Sequence, residues 1–403
     1  MQNIKQKLNI PRGWVVKKIK DVLSFERPDD YIVESSIYTS IGKTPVLTAN
    51  KSFILGYTNE DFGIYKNTPA IIFDDFTTDS KYVNFPFKIK SSAIKILKTK
   101  DGNSDLKFVY EIMKSKNFPI ANHKRHYISQ YQEQDILVPL IQEQKKISEI
   151  LSTVDEEVKK NNEIIFQTEK LKKGLMQNLF TKGIGHKKFK KTKIGNIPES
   201  WNVVTIKDAS IELIDGDRGV NYPKLSDFSL DGYCLFLNNK NIKDDQFIFS
   251  DIQFISQKKD ELLRKGKLKR LDVVLTTRGT VGNAAFYNND VIFENIRINS
   301  GMILLRAYKE LSPVFLYHLM KSPFMKKRYK DVVSGSAQPQ LPIRSLQLIY
   351  IPIPPEDEQK KMVEISQSID EKISINTMYK KTLIKLKKGL MQDLLSGKVR
   401  TKI

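Results

Sequence analysis

The residues of this chain best suited to chemistry are arginines, lysines, amides and hydroxyls gathered in glycine-bearing turns, and what they suit is hydrogen bonding to a polar ligand. In the C-terminal half, DGDRGVNYP carries Asp217, Arg218, Asn221 and Tyr222, TTRGT carries Arg278 and Thr280, ENIRINS carries Arg297, and GSAQPQLPI carries Gln338 and Gln340. The N-terminal half offers Thr77, Thr78 and Lys81, then Asn122, Lys124, Arg125 and His126 from ANHKRHYIS. Arg or Lys pairs with guanine edges and Asn or Gln with adenine edges, while further basic and hydroxyl groups hold phosphates. Gly216, Gly219, Gly279 and Gly335 fit tight loops that bring backbone close to a ligand. Any one of these residues, taken singly, is also an ordinary solvated loop residue, so the segments carry the argument as groups.

Bond-breaking chemistry has no counterpart in the residues. LSGKVR, Leu395 to Arg400, lacks the first glycine of a phosphate-binding GxxxxGK loop. There is no HExxH, no Cys/His zinc spacing, no NPPY- or DPPY-type tetrapeptide of the kind adenine methyltransferases use to hold a flipped base, and no glycine-rich cofactor loop. His123, His126, His186 and His318 form no metal-ligand pattern, and the lone Cys234 excludes an intramolecular disulfide and is expected to be a small buried residue. Asp74, Asp75 and Asp244, Asp245 read as solvated turns rather than metal sites. No catalytic residue, metal or cofactor is expected.

The elements that must position these groups come in two copies. IPRGWVVKKIKDV, Ile10 to Val22, returns as IPESWNVVTIKDA, Ile197 to Ala209, and the EQKK and KLKKGLMQ segments each occur twice. Trp14 maps onto Trp201 with a shift of 187, whereas Gln144, Asp155, Gly174 and Met176 map onto Gln359, Asp370, Gly389 and Met391 with a shift of 215. Between Trp motif and EQKK segment the second copy is therefore about 28 residues longer, so a repeated scaffold carries changeable material. From Leu179 to Trp201 is 22 residues, and from Leu394 through the termini to Trp14 is 23, which predicts a ring-like pseudo-twofold body with its ends close together.

A heptad frame places Ile147, Val154, Asn161, Thr168 and Leu175 on one seam and Leu151, Val158, Ile165, Lys172 and Leu179 on the other. The second copy gives Met362, Ile369, Asn376, Leu383 and Leu390 with Ser366, Ile373, Lys380, Lys387 and Leu394. Asn161 and Asn376 share a seam position and either pair, or at least fix register at some cost in stability, or are tolerated near a frayed or hydrated stretch, while Leu175 and Leu390 are expected to help pair the helices. A 38-residue helix spans roughly 57 Å, so the pair is a spacer, and ring closure requires it to be antiparallel. Asp155 and Asp370 read as solubility or partner contacts. The expected fold is α+β: two mixed globules in pseudo-twofold arrangement, separated by two long antiparallel helices forming a coiled coil. The boundaries read 1–142 and 183–355 for the globules, 143–182 and 356–396 for the helices, and 397–403 for a tail returning toward the N-terminus.

With 403 residues and 40% hydrophobic content, two domains with real cores are possible. No apolar run reaches the roughly 18 residues of a membrane span, and Met1 to Ile10 has no signal-peptide core, so a cytoplasmic protein without membrane contact is expected. A net charge of +21 and a pI near 9.6 point to a polyanion, although lysine-rich composition and solvated helix faces also produce such numbers.

The paired IPxxW openings, the TTRGTVGN strand and turn, IPIPPEDEQKKMVEI and the twice-used LKKGLMQ together resemble the specificity subunits of type I restriction-modification systems over essentially the whole chain. The resemblance implies two target recognition domains reading the halves of a bipartite site in double-stranded DNA. It also implies two helices that set the spacing and bind two methyltransferase subunits, with restriction and translocase subunits joining through that core. The chain itself would be non-catalytic. Its first globule lacks DGDRG and TTRGT, so contacts do not transfer between halves by sequence. A coiled-coil adaptor binding only proteins is the competing reading; it explains the helices but not the charge or the divergence confined to the globules.

Overall fold

Runs of Val, Ile, Leu and Phe bounded by turn residues make the same two sheets twice in the computed structural model, which describes residues 10–50, 52–116, 118, 125–335 and 339–402. There are two units: one holds the chain up to Asn162 with the part from Met378 onward, the other is Glu163–Thr377.

The first unit contains β1 (Val15–Lys18), α1 (Ile19–Val22), β2 (Leu23–Glu26), β3 (Thr44–Leu47), β4 (Ile54–Thr58), β5 (Ala70–Asp74), β6 (Ser80–Val83), β7 (Lys88–Ile89), β8 (Ile94–Thr99), α2 (Leu106–Ser115) and β9 (Asp135–Val138), followed by the start of α3 (Ile141–Lys182). An antiparallel sheet has the order β2-β8-β5-β6, and a smaller one has the order β4-β3-β7 with β3 and β7 parallel. All of β5 is buried because side chains alternate between two cores. Ile71 and Phe73 join Phe108, Val109, Ile112 and Leu151 on one face, while Ala70 and Ile72 join Leu47, Phe87 and Ile89 on the other.

After the end of α3, the second unit contains the hairpin β10 (Phe189–Thr192) and β11 (Gly195–Pro198), then β12 (Asn202–Thr205), β13 (Ile211–Asp215), β14 (Cys234–Leu237), β15 (Ile242–Lys243), β16 (Gln246–Phe247), β17 (Phe254–Ile255), α4 (Gln257–Leu262), β18 (Val273–Thr276), β19 (Ala284–Phe286), β20 (Ile296–Ile298), β21 (Met302–Ala307), α5 (Pro313–Met320), α6 (Pro323–Val332), α7 (Ile343–Gln347), β22 (Tyr350–Ile353) and the start of α8 (Glu356–Leu395). Its sheets, β13-β21-β18-β19 and β17-β14-β20 with β14 and β20 parallel, repeat the topology of the first unit strand for strand. Val273 and Leu275 face Phe315, Leu319 and Met362, and Val274 faces Leu235, Leu237 and Ile296. Helical spacing from Ser312 to Val333 predicts one helix, but the chain makes two. Pro323 cannot continue α5, and Ser322 caps α6 by accepting from the Met325 N–H at 3.2 Å.

The scaffold residues repeat their contacts as well as their identities. Val15 faces Val138 and Asn202 faces Ile353, so β1/β9 and β12/β22 pair in equivalent register. The indole N–H of Trp14 donates to Glu143 Oε2 at 3.1 Å, and that of Trp201 to Glu358 Oε2 at 2.8 Å. A nitrogen side chain completes each clamp: Arg400 Nε and Nη2 reach Glu143 at 2.7 and 2.8 Å, and His186 Nε2 lies 2.9 Å from Glu358 Oε1. The neighbouring glutamines tie each long helix to its globule. Gln144 accepts from the N–H of Asp105, the α2 cap, at 2.8 Å, and Gln359 accepts from that of Ser312, the α5 cap, at 3.0 Å.

Every seam position from Ile147 to Leu179 and from Met362 to Leu394, polar ones included, is buried or half-buried. Within the first unit the helices run antiparallel, since Glu143 meets Arg400 and Asp155 meets Lys387 at 2.6 Å. Within the second unit they do so again, with Lys172 on Asp370 at 2.5 Å and Ile184 N–H on Glu358 at 3.0 Å. Two of the lysines that interrupt the apolar seams are therefore ion-paired to the two repeated aspartates. Leu175 packs against the core of the second unit and Leu390 against that of the first. Asn161 is buried, and Asn376 donates to the Lys372 carbonyl at 2.7 Å.

Candidate nucleic-acid interface

Strand equivalence locates the candidate loops without sequence similarity. The β5–β6 turn, Asp75 to Asp79, is the counterpart of the β18–β19 turn, Thr277 to Asn283, because β5 and β18 occupy the same place in their sheets. Thr78 (φ 59°) and Gly279 (φ 67°) both turn through the left-handed region, where glycine is unstrained and threonine is not. Asp74 steadies the first turn by accepting from the N–H groups of Phe76 and Thr77, each at 2.9 Å.

In both units this turn is bonded to the stretch that leads toward the next long helix. His126 N–H donates to the Asp75 carbonyl at 2.9 Å and Tyr127 N–H to Asp75 Oδ1 at 2.8 Å. Leu341 N–H, one 215-residue shift from His126, donates to the Thr277 carbonyl at 2.8 Å, and Gln340 bridges to Arg278. Thr77, Thr78, Arg125 and His126 thus gather in the first unit, and Arg278, Thr280 and Gln340 in the second. Arg125 and Thr280 are exposed, whereas His126 is buried against Phe118. Lys81 lies half-buried on β6. Asn122, Lys124 and Gln338 lie outside the described residues.

The DGDRG loop joins the second group. A Cβ at Gly216 would stand 2.2 Å from the Asn299 carbonyl oxygen, so only glycine permits this approach. Asp217 is buried, and its carboxylate accepts from the N–H groups of Gly219 at 2.8 Å and Arg264 at 2.7 Å. Burial alone would raise the Asp217 pKa, but these backbone donors outweigh it and hold the carboxyl below its usual range. Arg218 is exposed, with Nη2 3.1 Å from Asp215 and 3.3 Å from the Ser300 carbonyl. Arg278 N–H donates to the next carbonyl, Gly301, at 3.2 Å, and Asn239 Nδ2 donates to the Arg278 carbonyl at 2.7 Å.

Three candidates sit elsewhere. Arg297 is buried; its guanidinium engages the Asp260 carboxylate and the carbonyls of Asp260, Leu263 and Lys265, which fastens β20 to α4 and leaves it little capacity for a ligand. Asn221 donates to the Leu262 carbonyl at 3.4 Å, and Tyr222 packs edge-on against Phe236 beside the smaller sheet. Two further residues beside these loops belong to no motif in the sequence. Asn239 precedes no recognisable pattern, and Arg27 follows β2, the counterpart of β13, at the place where DGDRG follows β13. The paired Trp motifs contain the signal for Arg27, since 187 residues on from it lies Ile214, at the edge of DGDRG.

Three other titratable groups are structural. Burial pushes the Cys234 thiol up to about 12 and His318 down to about 3, leaving both uncharged near neutrality. Asp245 ties the β15–β16 turn to the Ala284 N–H at 3.0 Å and to Lys326 at 2.5 Å. Among the described residues no group of three or more His, Cys, Asp or Glu side chains could hold a metal ion, and no helix is long and apolar enough to cross a membrane.

The profile of the type I restriction modification DNA specificity domain matches the chain twice, at residues 11–196 and 198–386. The chain is 28% identical to the type I restriction enzyme MjaVIII specificity subunit of Methanocaldococcus jannaschii, over 98% of this chain and 95% of that protein. It is 45% identical to the EcoR124I/EcoR124II specificity subunit of Escherichia coli over 30% of this chain and 31% of that protein. The crystal structure of the type I restriction-modification S subunit from M. genitalium, at 17% identity, shares the fold with a TM-score of 0.60 over 97% of this chain and 98% of that one. Two matched domains spanning both halves, on a scaffold whose clamps and registers repeat, place this chain in the family of type I restriction-modification DNA specificity subunits.

Proposed function

We propose that each globule reads one half of a bipartite target in double-stranded DNA. The observation that carries this is the pairing of equivalent loops with unlike side chains. Hairpin turn and pre-helix stretch are bonded in the same way in both units, yet the turn presents Thr77 and Thr78 in one and Arg278 and Thr280 in the other, where Gln340 bridges to it. A shared backbone frame with different donors is what two readers of two sequences require. Among the candidates, Arg218 is best prepared for a guanine, because Asp215 and the Ser300 carbonyl hold its Nη2 while, among the described residues, no partner takes Nε or Nη1.

The repeated helices set the spacing between half-sites and dock two methyltransferase subunits, and restriction and translocase subunits join through them. Exposed Leu171 and Leu386 occupy equivalent positions on the two helices, as do Ile164 and Tyr379, which gives a twice-binding partner large apolar side chains at matching places on each copy. The chain is itself non-catalytic, needs no cofactor, and works in the cytoplasm where the DNA is. Globule boundaries at 1–142 and 183–355 separate reader from helix. Sequencing methylated adenines in cells carrying this chain with its methyltransferase tests the reading. The expected motif has two defined halves around a fixed unspecified spacer; a contiguous motif or no motif contradicts it.

A further inference from the structure

The first unit has a cavity of about 260 Å³ beside the β5–β6 turn, whose polar lining residues are Arg27, Asp29, Asp75, Ser92, Lys95 and Arg125. Its floor is fixed. Asp75 and Lys95 are buried and 3.3 Å apart, and Asp75 also accepts the Tyr127 N–H, so this pair is neutral overall and cannot move without breaking the loop. Above it stand the exposed guanidiniums of Arg27 and Arg125. Among the described residues neither guanidinium has a hydrogen bond or ion pair with a carboxylate, in contrast to Arg218, which Asp215 holds.

That contrast assigns the ligand. Reading a guanine needs a guanidinium fork fixed in orientation, whereas a phosphate diester accepts from any direction and demands only charge and reach. We propose that Arg27 and Arg125 are a phosphate clamp: both hold the DNA backbone and position the first globule without contributing to its sequence preference. Ser92 lies at the same wall and can donate its hydroxyl to the phosphate. The clamp rests on the DNA-reading function proposed above.

The test uses the complex of the full chain with its methyltransferase subunits, a duplex containing the methylated motif and a scrambled duplex, measured over a series of salt concentrations. Each arginine changed to alanine should make the plot of log affinity against log salt shallower by about 0.9, the value for one phosphate left unneutralised. Arg27→Ala and Arg125→Ala together should weaken both duplexes in the same proportion and leave the methylated motif unchanged. Arg27→Lys with Arg125→Lys should keep the original slope. A changed motif, or a slope unaffected by the alanine variants, would overturn the clamp. A wild-type complex that does not prefer its target over the scrambled duplex would instead overturn the reading on which the clamp rests, and the clamp with it.

Discussion

Glu143 collects an indole N–H and a guanidinium, Glu358 an indole N–H and an imidazole, and this makes single carboxylates decisive for how each Trp motif meets its helix. Burial alone would raise the Glu143 pKa, but Arg400 and the Trp14 N–H overcome it and hold the carboxyl below its usual range. A carboxyl lowered on folding adds stability that is present above its unfolded pKa and disappears as pH falls through the folded one. Glu143→Gln should therefore cost about 1.5–3 kcal/mol near neutrality, the scale of a charge-assisted hydrogen bond. Thermal melts should show the gap between variant and wild type closing on acidification; a gap independent of pH would refute the assignment. The two ion-paired seam lysines differ in environment. Lys387 is nearly buried between Asp155 and Glu111, with Glu111 3.1 Å away and fully buried, while Lys172 and Asp370 are about one-third exposed. Lys387→Met should cost about 3 kcal/mol because it leaves buried Glu111 with Lys107 alone, 3.4 Å away, and Lys172→Met no more than about 1 kcal/mol. Equal losses in urea melts would contradict this.

At the scale of elements, both long helices contain a glycine that the chain itself does not use. A Cβ at Gly174 or Gly389 would meet nothing within 4 Å. Gly174→Ala and Gly389→Ala should each stabilise the isolated chain by about 0.4–1 kcal/mol, since alanine loses less backbone freedom in a helix. Unchanged or lower melting temperatures would show a constraint within the chain. The helices and their seam are legible in the sequence because a 215-residue shift without insertion preserves heptad phase. Their polar contacts are less so. Asp155 and Asp370 read as solubilising because their lysine partners lie on the other helix, far away in sequence. The glutamate and glutamine of EQKK carry no local signal for partners at Trp14 or Asp105. Arg297 reads as a base-contacting residue because a short polar loop sequence gives no warning that Asp260 is folded beneath it. Periodicity alone extends α5 to Val333, because apolar spacing continues across Ser322 and Pro323, where backbone chemistry decides instead.

On the scale of the whole molecule, the repeat separates what is kept from what varies. Trp–Glu clamps, glutamine ties, strand registers and lysine–aspartate pairs are the same in both units, and the loops they support are not. The ends of the chain belong to this scheme too. Arg400 reaches the Arg12 carbonyl at 2.8 Å, and Gly397 lies so close to Pro11 that a Cβ there would clash with its ring. The net charge of +21 suits such a frame to a polyanion, since phosphate contacts release counterions wherever lysine and arginine approach them. The claim that two unlike readers ride on one repeated scaffold is tested most directly by exchanging residues 210–340 for the corresponding globule of another family member and sequencing methylated adenines in cells. The expected result is a motif with one half-site replaced, the other retained and the spacer length unaltered. A motif changed in both halves, or in neither, would contradict it.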